Sequence, residues 1–169
     1  MEEAYVALCA PLRQLQDEHV SLRANMERFN EITEDLECES GSDAVALFAA
    51  LHGQVAAFAQ ALEVHSRREE QGLFPLMARR LGEEDRTIET MEFEHDKAEQ
   101  HLRDFLAEAG QAGAAVTEDD AQSIAVYAVQ AYATLTQHFA KEEKMLFPLA
   151  ERLLSAEEKG ELDRLLRAL

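Results

Sequence analysis

Hydrophobic residues recur every three to four positions along nearly the whole chain, the period of one face of an α-helix. Leu12, Leu15, Leu22 and Met26 make one such stripe, and Phe58, Leu62 and Leu73 a second. Ile88, Met91, Leu102 and Leu106 make a third, and Leu135, Met145 and Leu149 a fourth. The breaks between stripes carry helix signals. The pattern predicts a first helix from about residue 11, where Pro11 suits a helix start, to about residue 36. A turn over 38–42 comes next, then a second helix capped by Asp43 and ending at Leu81 before Gly82. Pro75 inside it should kink the helix or free a carbonyl. A third helix runs from about Glu84 to Ala109, and 110–116 reads as a loop. Thr117 with Asp120 caps a fourth helix reaching about Leu154, and Ser155 with Glu158 has the capping-box spacing that starts a short helix to about Ala168. Long helices joined by short connections predict an all-α fold, an antiparallel up-down four-helix bundle with a short extra C-terminal helix. The expectation is a single domain over 1–169, its bundle core spanning about 11–154.

Composition narrows the partners. The chain of 169 residues has 34 Asp and Glu against 16 Lys and Arg, a formal net charge of −18. Such a surface repels nucleic-acid phosphates and anionic lipid, so neither nucleic acid nor a membrane surface is expected as a partner. No apolar run of about 18 residues is read in the sequence, which predicts no membrane span. Met1-Glu2-Glu3 is acidic where a secretion signal begins basic, so a cytoplasmic location is expected. Cys9 and Cys38 stand far apart without metal-type spacing and are expected as free thiols.

The chemistry lies in a repeat. His65-Ser-Arg-Arg-Glu69-Glu70-Gln-Gly-Leu-Phe-Pro75 matches His138-Phe-Ala-Lys-Glu142-Glu143-Lys-Met-Leu-Phe-Pro148. A weaker echo precedes each, Glu18-His19 and Glu94-His95, so the chain reads as two helical hairpins of like plan. Four histidines thus fall one to a helix: His19, His65, His95 and His138. Each sits on the apolar stripe that must face the core. Glu69 and Glu142 come four residues after their histidines, about 40° away on the helical wheel, and point the same way. A buried, unpaired carboxylate would be prohibitive in cost, and imidazole with carboxylate is the donor set for iron, manganese or zinc. Pseudo-twofold symmetry is a natural way to build a two-metal site. Glu99 copies the same offset after His95 and is a candidate seventh ligand, whereas Arg23 holds that place after His19. Glu70 and Glu143 lie about 140° from their histidines, on a helix flank or behind the ligands. The Leu-Phe-Pro segments read as packing and a kink.

These motifs resemble the hemerythrin-like HHE cation-binding domain, over about residues 11–154. The resemblance implies His19, His65, Glu69, His95, His138 and Glu142 as ligands of two non-haem iron ions with an oxo or hydroxo bridge, Glu69 and Glu142 bridging. The chain departs from the oxygen-carrying members in having Glu99 where they have a second histidine, and Glu142 where they have an aspartate one residue further on. The pattern is closer to the iron–sulfur cluster repair proteins and to hemerythrin-like sensors. The resemblance therefore implies a centre that binds or reacts with oxygen, nitric oxide or peroxide, in sensing or stress response. A detoxifying or repair enzyme and a structural, iron-responsive interaction module are the alternatives.

Overall fold

The structure, a computed structural model, describes residues 5–38 and 42–169, and no strand occurs among them. The helices are α1 (Ala10–Cys38), α2 (Ser42–Arg68), α3 (Phe74–Leu81), α4 (Thr87–Ala112), α5 (Glu118–Lys141), α6 (Phe147–Leu153) and α7 (Ala156–Ala168). Two π-turns, Glu69–Leu73 and Glu142–Leu146, join α2 to α3 and α5 to α6 in near-continuous runs. The turn expected over 38–42 falls mostly outside the described residues.

The long helices close a ring in which α1 packs on α2 and α5, and α4 on α5 and α2. Neighbours run in opposite directions. Glu18 and Phe29 of α1 meet Arg68 and Phe58 of α2, and Glu94 and Glu108 of α4 meet Lys141 and Tyr127 of α5. The helical bundle and the short C-terminal helix expected from periodicity are therefore present.

Several boundaries differ for local reasons. α4 begins at Thr87, not Glu84, because Gly82 turns the chain at φ 89° and Asp85 Oδ1 accepts the Thr87 amide at 2.8 Å. It continues to Ala112, and a short 3-10 turn over Gly113–Ala115 replaces most of the expected loop. Thr117 Oγ1 accepts the Asp120 amide, and Ser155 with Glu158 forms the reciprocal capping box. The run 43–81 is long and apolar enough by composition to cross a membrane, contrary to the reading that no segment reaches that limit. Its apolar side, Phe48, Leu51, Val55, Phe58 and Leu62, is buried in the bundle core.

The core is split in two. One cluster holds Leu22, Met26, Phe29, Leu62, Ala98, Leu102, Leu135 and Phe139 among others. The second holds Leu12, Leu15, Leu73, Phe74, Met91, Leu146 and Phe147. On three long helices the break falls at a histidine: His19 between Leu15 and Leu22, His65 between Leu62 and Leu73, and His95 between Met91 and Ala98. On the run from α5 to α6 it falls one turn after His138, at Glu142 between Phe139 and Leu146. A polar layer thus cuts across the bundle between two hydrophobic blocks that seal it from solvent.

Candidate metal centre

His19, His65, His95, His138, Glu69 and Glu142 make up that layer, each at most 2% exposed. Their atoms form two groups. His19, His65, Glu69 and Glu142 place one potential donor each within 4.8 Å of one another, and so do Glu69, His95, His138 and Glu142. Both carboxylates belong to both groups. Glu69 Oε1 lies 2.7 Å from His65 Nε2 and Oε2 3.1 Å from His95 Nε2. Glu142 Oε1 lies 3.0 Å from His138 Nε2 and 3.5 Å from His19 Nε2.

The π-turns begin at these two glutamates. In each, an amide five residues on bonds back to the glutamate carbonyl, Phe74 to Glu69 and Phe147 to Glu142. The prolines next in the chain, Pro75 and Pro148, bring no amide of their own. The wider turn accommodates them without breaking the run, and π-turns concentrate at functional sites. Leu-Phe-Pro therefore does more than kink the helix: it sets the backbone that carries the shared carboxylates.

Behind the histidines stands a closed ring of four further carboxylates, each reaching from one helix to the next. Glu18 on α1 accepts from His65 Nδ1 at 3.0 Å, Glu70 in the first π-turn from His95 Nδ1 at 3.0 Å, and Glu94 on α4 from His138 Nδ1 at 2.9 Å. Glu143 completes the ring 3.7 Å from His19 Nδ1. An ionised carboxylate can only accept, so His65, His95 and His138 donate from Nδ1, and once each ring gives up its second proton its Nε2 lone pair faces the centre. Cations hold three of the four: Arg68 on Glu18, Lys141 on Glu94, and Arg23 on Glu143. Glu70 has no such cation among the described residues. Glu18 and Glu94 were visible in the sequence only as the residues preceding two histidines. Their place on the neighbouring helix's imidazole depends on how the helices pack.

The electrostatics match a cation site. His19 Nε2 and His65 Nε2 approach to 3.1 Å, a separation that needs either a shared proton or a cation at the two nitrogens. Burial opposes charge on these rings, yet the surrounding glutamates outweigh it: His19 and His95 are raised to about 10 and His65 to about 9. Burial likewise opposes ionisation of Glu69, but His65, His19 and His95 hold its carboxyl well below the usual range. Even so, all four oxygens of Glu69 and Glu142, and His138 Nε2, have no aligned hydrogen-bond partner. Native proteins rarely bury that many unsatisfied polar atoms together. The six carboxylates of the layer and its ring meet only Arg23, Arg68 and Lys141 as permanent cations among the described residues. Divalent ions would satisfy both the geometry and the charge.

A family model for the hemerythrin HHE cation-binding domain matches residues 10–150. The chain belongs to this family. No curated protein matches the chain in a sequence comparison. As a hemerythrin-family domain with buried His/Glu groups able to hold metal, it is a metal-binding protein of the HHE type. Glu99 lies outside both groups. It is half-buried, 3.7 Å from Arg103, and its carboxyl is raised by burial and by the charge of Glu70. His52 and His101 also stand apart, half-buried on the bundle's flanks. Cys9 and Cys38 are free thiols.

Proposed function

We propose that this hemerythrin-family protein holds two non-haem iron ions, and that the pair binds or reacts with oxygen, nitric oxide or peroxide in a sensing or stress-response role. Glu69 and Glu142 shared between two histidine pairs carry this reading. A donor set of four imidazoles and two shared carboxylates suits a pair of iron ions and leaves coordination positions for a small ligand. When bound, such a pair supplies redox-active metal to a diatomic or peroxide ligand. The protein's own part is to fix the Nε2 lone pairs through the outer carboxylates, to share Glu69 and Glu142 between the two positions, and to shut out bulk water with the hydrophobic blocks above and below.

Metal analysis with an absorption spectrum of aerobically purified protein tests the proposal. Two irons per chain with bridged-ferric charge-transfer bands are expected, and addition of nitric oxide or peroxide should change the spectrum. A folded, metal-free protein that takes up no ferrous iron would sink it.

A further inference from the structure

The ring contacts around the centre obey the sequence repeat pair by pair, with one exception. His19 packs against His65 at 4.8 Å, Phe147 at 5.6 Å and Phe139, which stacks on it at 4.1 Å. His95 packs against His138 at 4.5 Å and Phe74 at 5.3 Å, the repeat counterparts of the first two. The counterpart of Phe139, the residue after His138, is Ser66, the residue after His65. Two neighbouring positions differ in the same sense. Leu22, three residues after His19, corresponds to Ala98, and Arg23 corresponds to Glu99. The His19 side is filled by a phenyl ring and an isobutyl group where the His95 side has a hydroxymethyl and a methyl.

Ser66 is 2% exposed, and its Oγ has no hydrogen-bond partner. A buried hydroxyl left in that condition calls for a partner. Its direction is set by its neighbours on the same helical face. One turn onward, Glu70 reaches His95 Nδ1 on α4, so this face of the run is turned to α4. One turn back, Leu62 lines a groove of about 470 Å³ between α2 and α4, whose α4 wall carries Glu99 and Leu102. Ser66 and Ala98 therefore stand between the groove and His95.

We propose that a small exogenous ligand with acceptor lone pairs reaches the centre on its His95 side, by way of the α2–α4 groove, and takes a hydrogen bond from Ser66 Oγ. The inference rests on the centre holding metal and adds which side is open and which residue receives the ligand. The smaller side chains of Ser66 and Ala98 limit the ligand to two or three heavy atoms, the class of oxygen, nitric oxide, peroxide and azide. The His19 side, stacked by Phe139, takes none.

Azide titration of the iron-loaded protein, monitored by absorption, reads this directly, with metal content measured on each sample. Ser66→Ala removes only the donor and should weaken azide binding about tenfold at unchanged metal content. Ala98→Leu rebuilds the side chain of the His19 side and should abolish azide binding, again with metal retained. Azide affinity equal to the parent in metal-replete Ser66→Ala overturns the proposal, and this variant decides alone if Ala98→Leu fails to fold. A parent protein that takes up no metal would instead refute the metal reading on which the proposal stands.

Discussion

Glu69 extends one carboxylate oxygen to His95 Nε2, 3.1 Å away on another helix, while its other oxygen stays 2.7 Å from His65 on its own. One side chain therefore serves both donor groups, whereas His65 serves one. Their loss should have unequal consequences. Glu69→Ala should bring bound metal below one ion per chain, and His65→Ala should leave about one. Elemental analysis after dialysis against ferrous or zinc ion checks this. Equal losses in the two variants would contradict the shared role of Glu69.

Protons and metal compete for the same imidazoles. His19, His65 and His95 are raised from 6.5 to between about 9 and 10 by buried carboxylates. A raised histidine stabilises the fold fully below its unfolded pKa, and that contribution is lost as pH rises through the folded value. The metal-free protein should therefore lose melting temperature between pH 7 and 10. The loaded protein, in which metal replaces those protons, should hold its value over the same window. Metal affinity should rise with pH across it, because binding must expel protons from the three rings. Paired thermal melts of both forms at several pH values check the sign. A metal-free protein that becomes more stable toward pH 10 would contradict it.

The outer carboxylates hold the imidazoles from behind and lie outside both donor groups. Glu94 holds His138 Nδ1 at 2.9 Å and is itself held by Lys141. Glu94→Gln keeps the shape and removes the charge that favours the Nδ1–H tautomer. Metal affinity should fall about 10–100-fold with the fold intact. Glu18→Gln should act alike through His65, since it occupies the equivalent place in the ring. Competition with a metal chelator, read alongside circular dichroism, separates loss of affinity from loss of structure. Parent-like affinity in both variants would leave the ring without a functional role.

Much of this centre was legible in the sequence, and the rest was not, for definite reasons. A residue four positions from a histidine shares its face, so His65 with Glu69 and His138 with Glu142 are paired by helical geometry alone. The same rule drew attention to Glu99, but α4 turns that position outward to Arg103 and the groove. Residues about 100° off the core face, such as Glu18 and Glu94, reach whichever helix lies beside them, and only packing decides which. The π-turns at Glu69 and Glu142 left just a proline as their trace. The caps at Thr117 and Ser155 were readable because each is a purely local hydrogen bond.

The two π-turns carry like residues in unlike surroundings, and their stabilities should differ accordingly. A Cβ at Gly72 would stand 3.2 Å from Leu162 Cδ1 and 3.3 Å from Leu166 Cδ2, because α7 lies across the first turn. The corresponding residue of the second turn, Met145, is 46% exposed. Gly72→Met, which gives the first turn the side chain of the second, should push Leu162 and Leu166 away and cost about 1–3 kcal/mol. Because the same turn carries Glu69, metal affinity should fall with it. Met145→Ala removes a half-exposed side chain and should change stability by no more than about 0.5 kcal/mol. Denaturant unfolding of the metal-free variants measures both. Equal costs would mean that α7 does not seal the turn, and that the tight fit over Gly72 has no part in holding Glu69 against the centre.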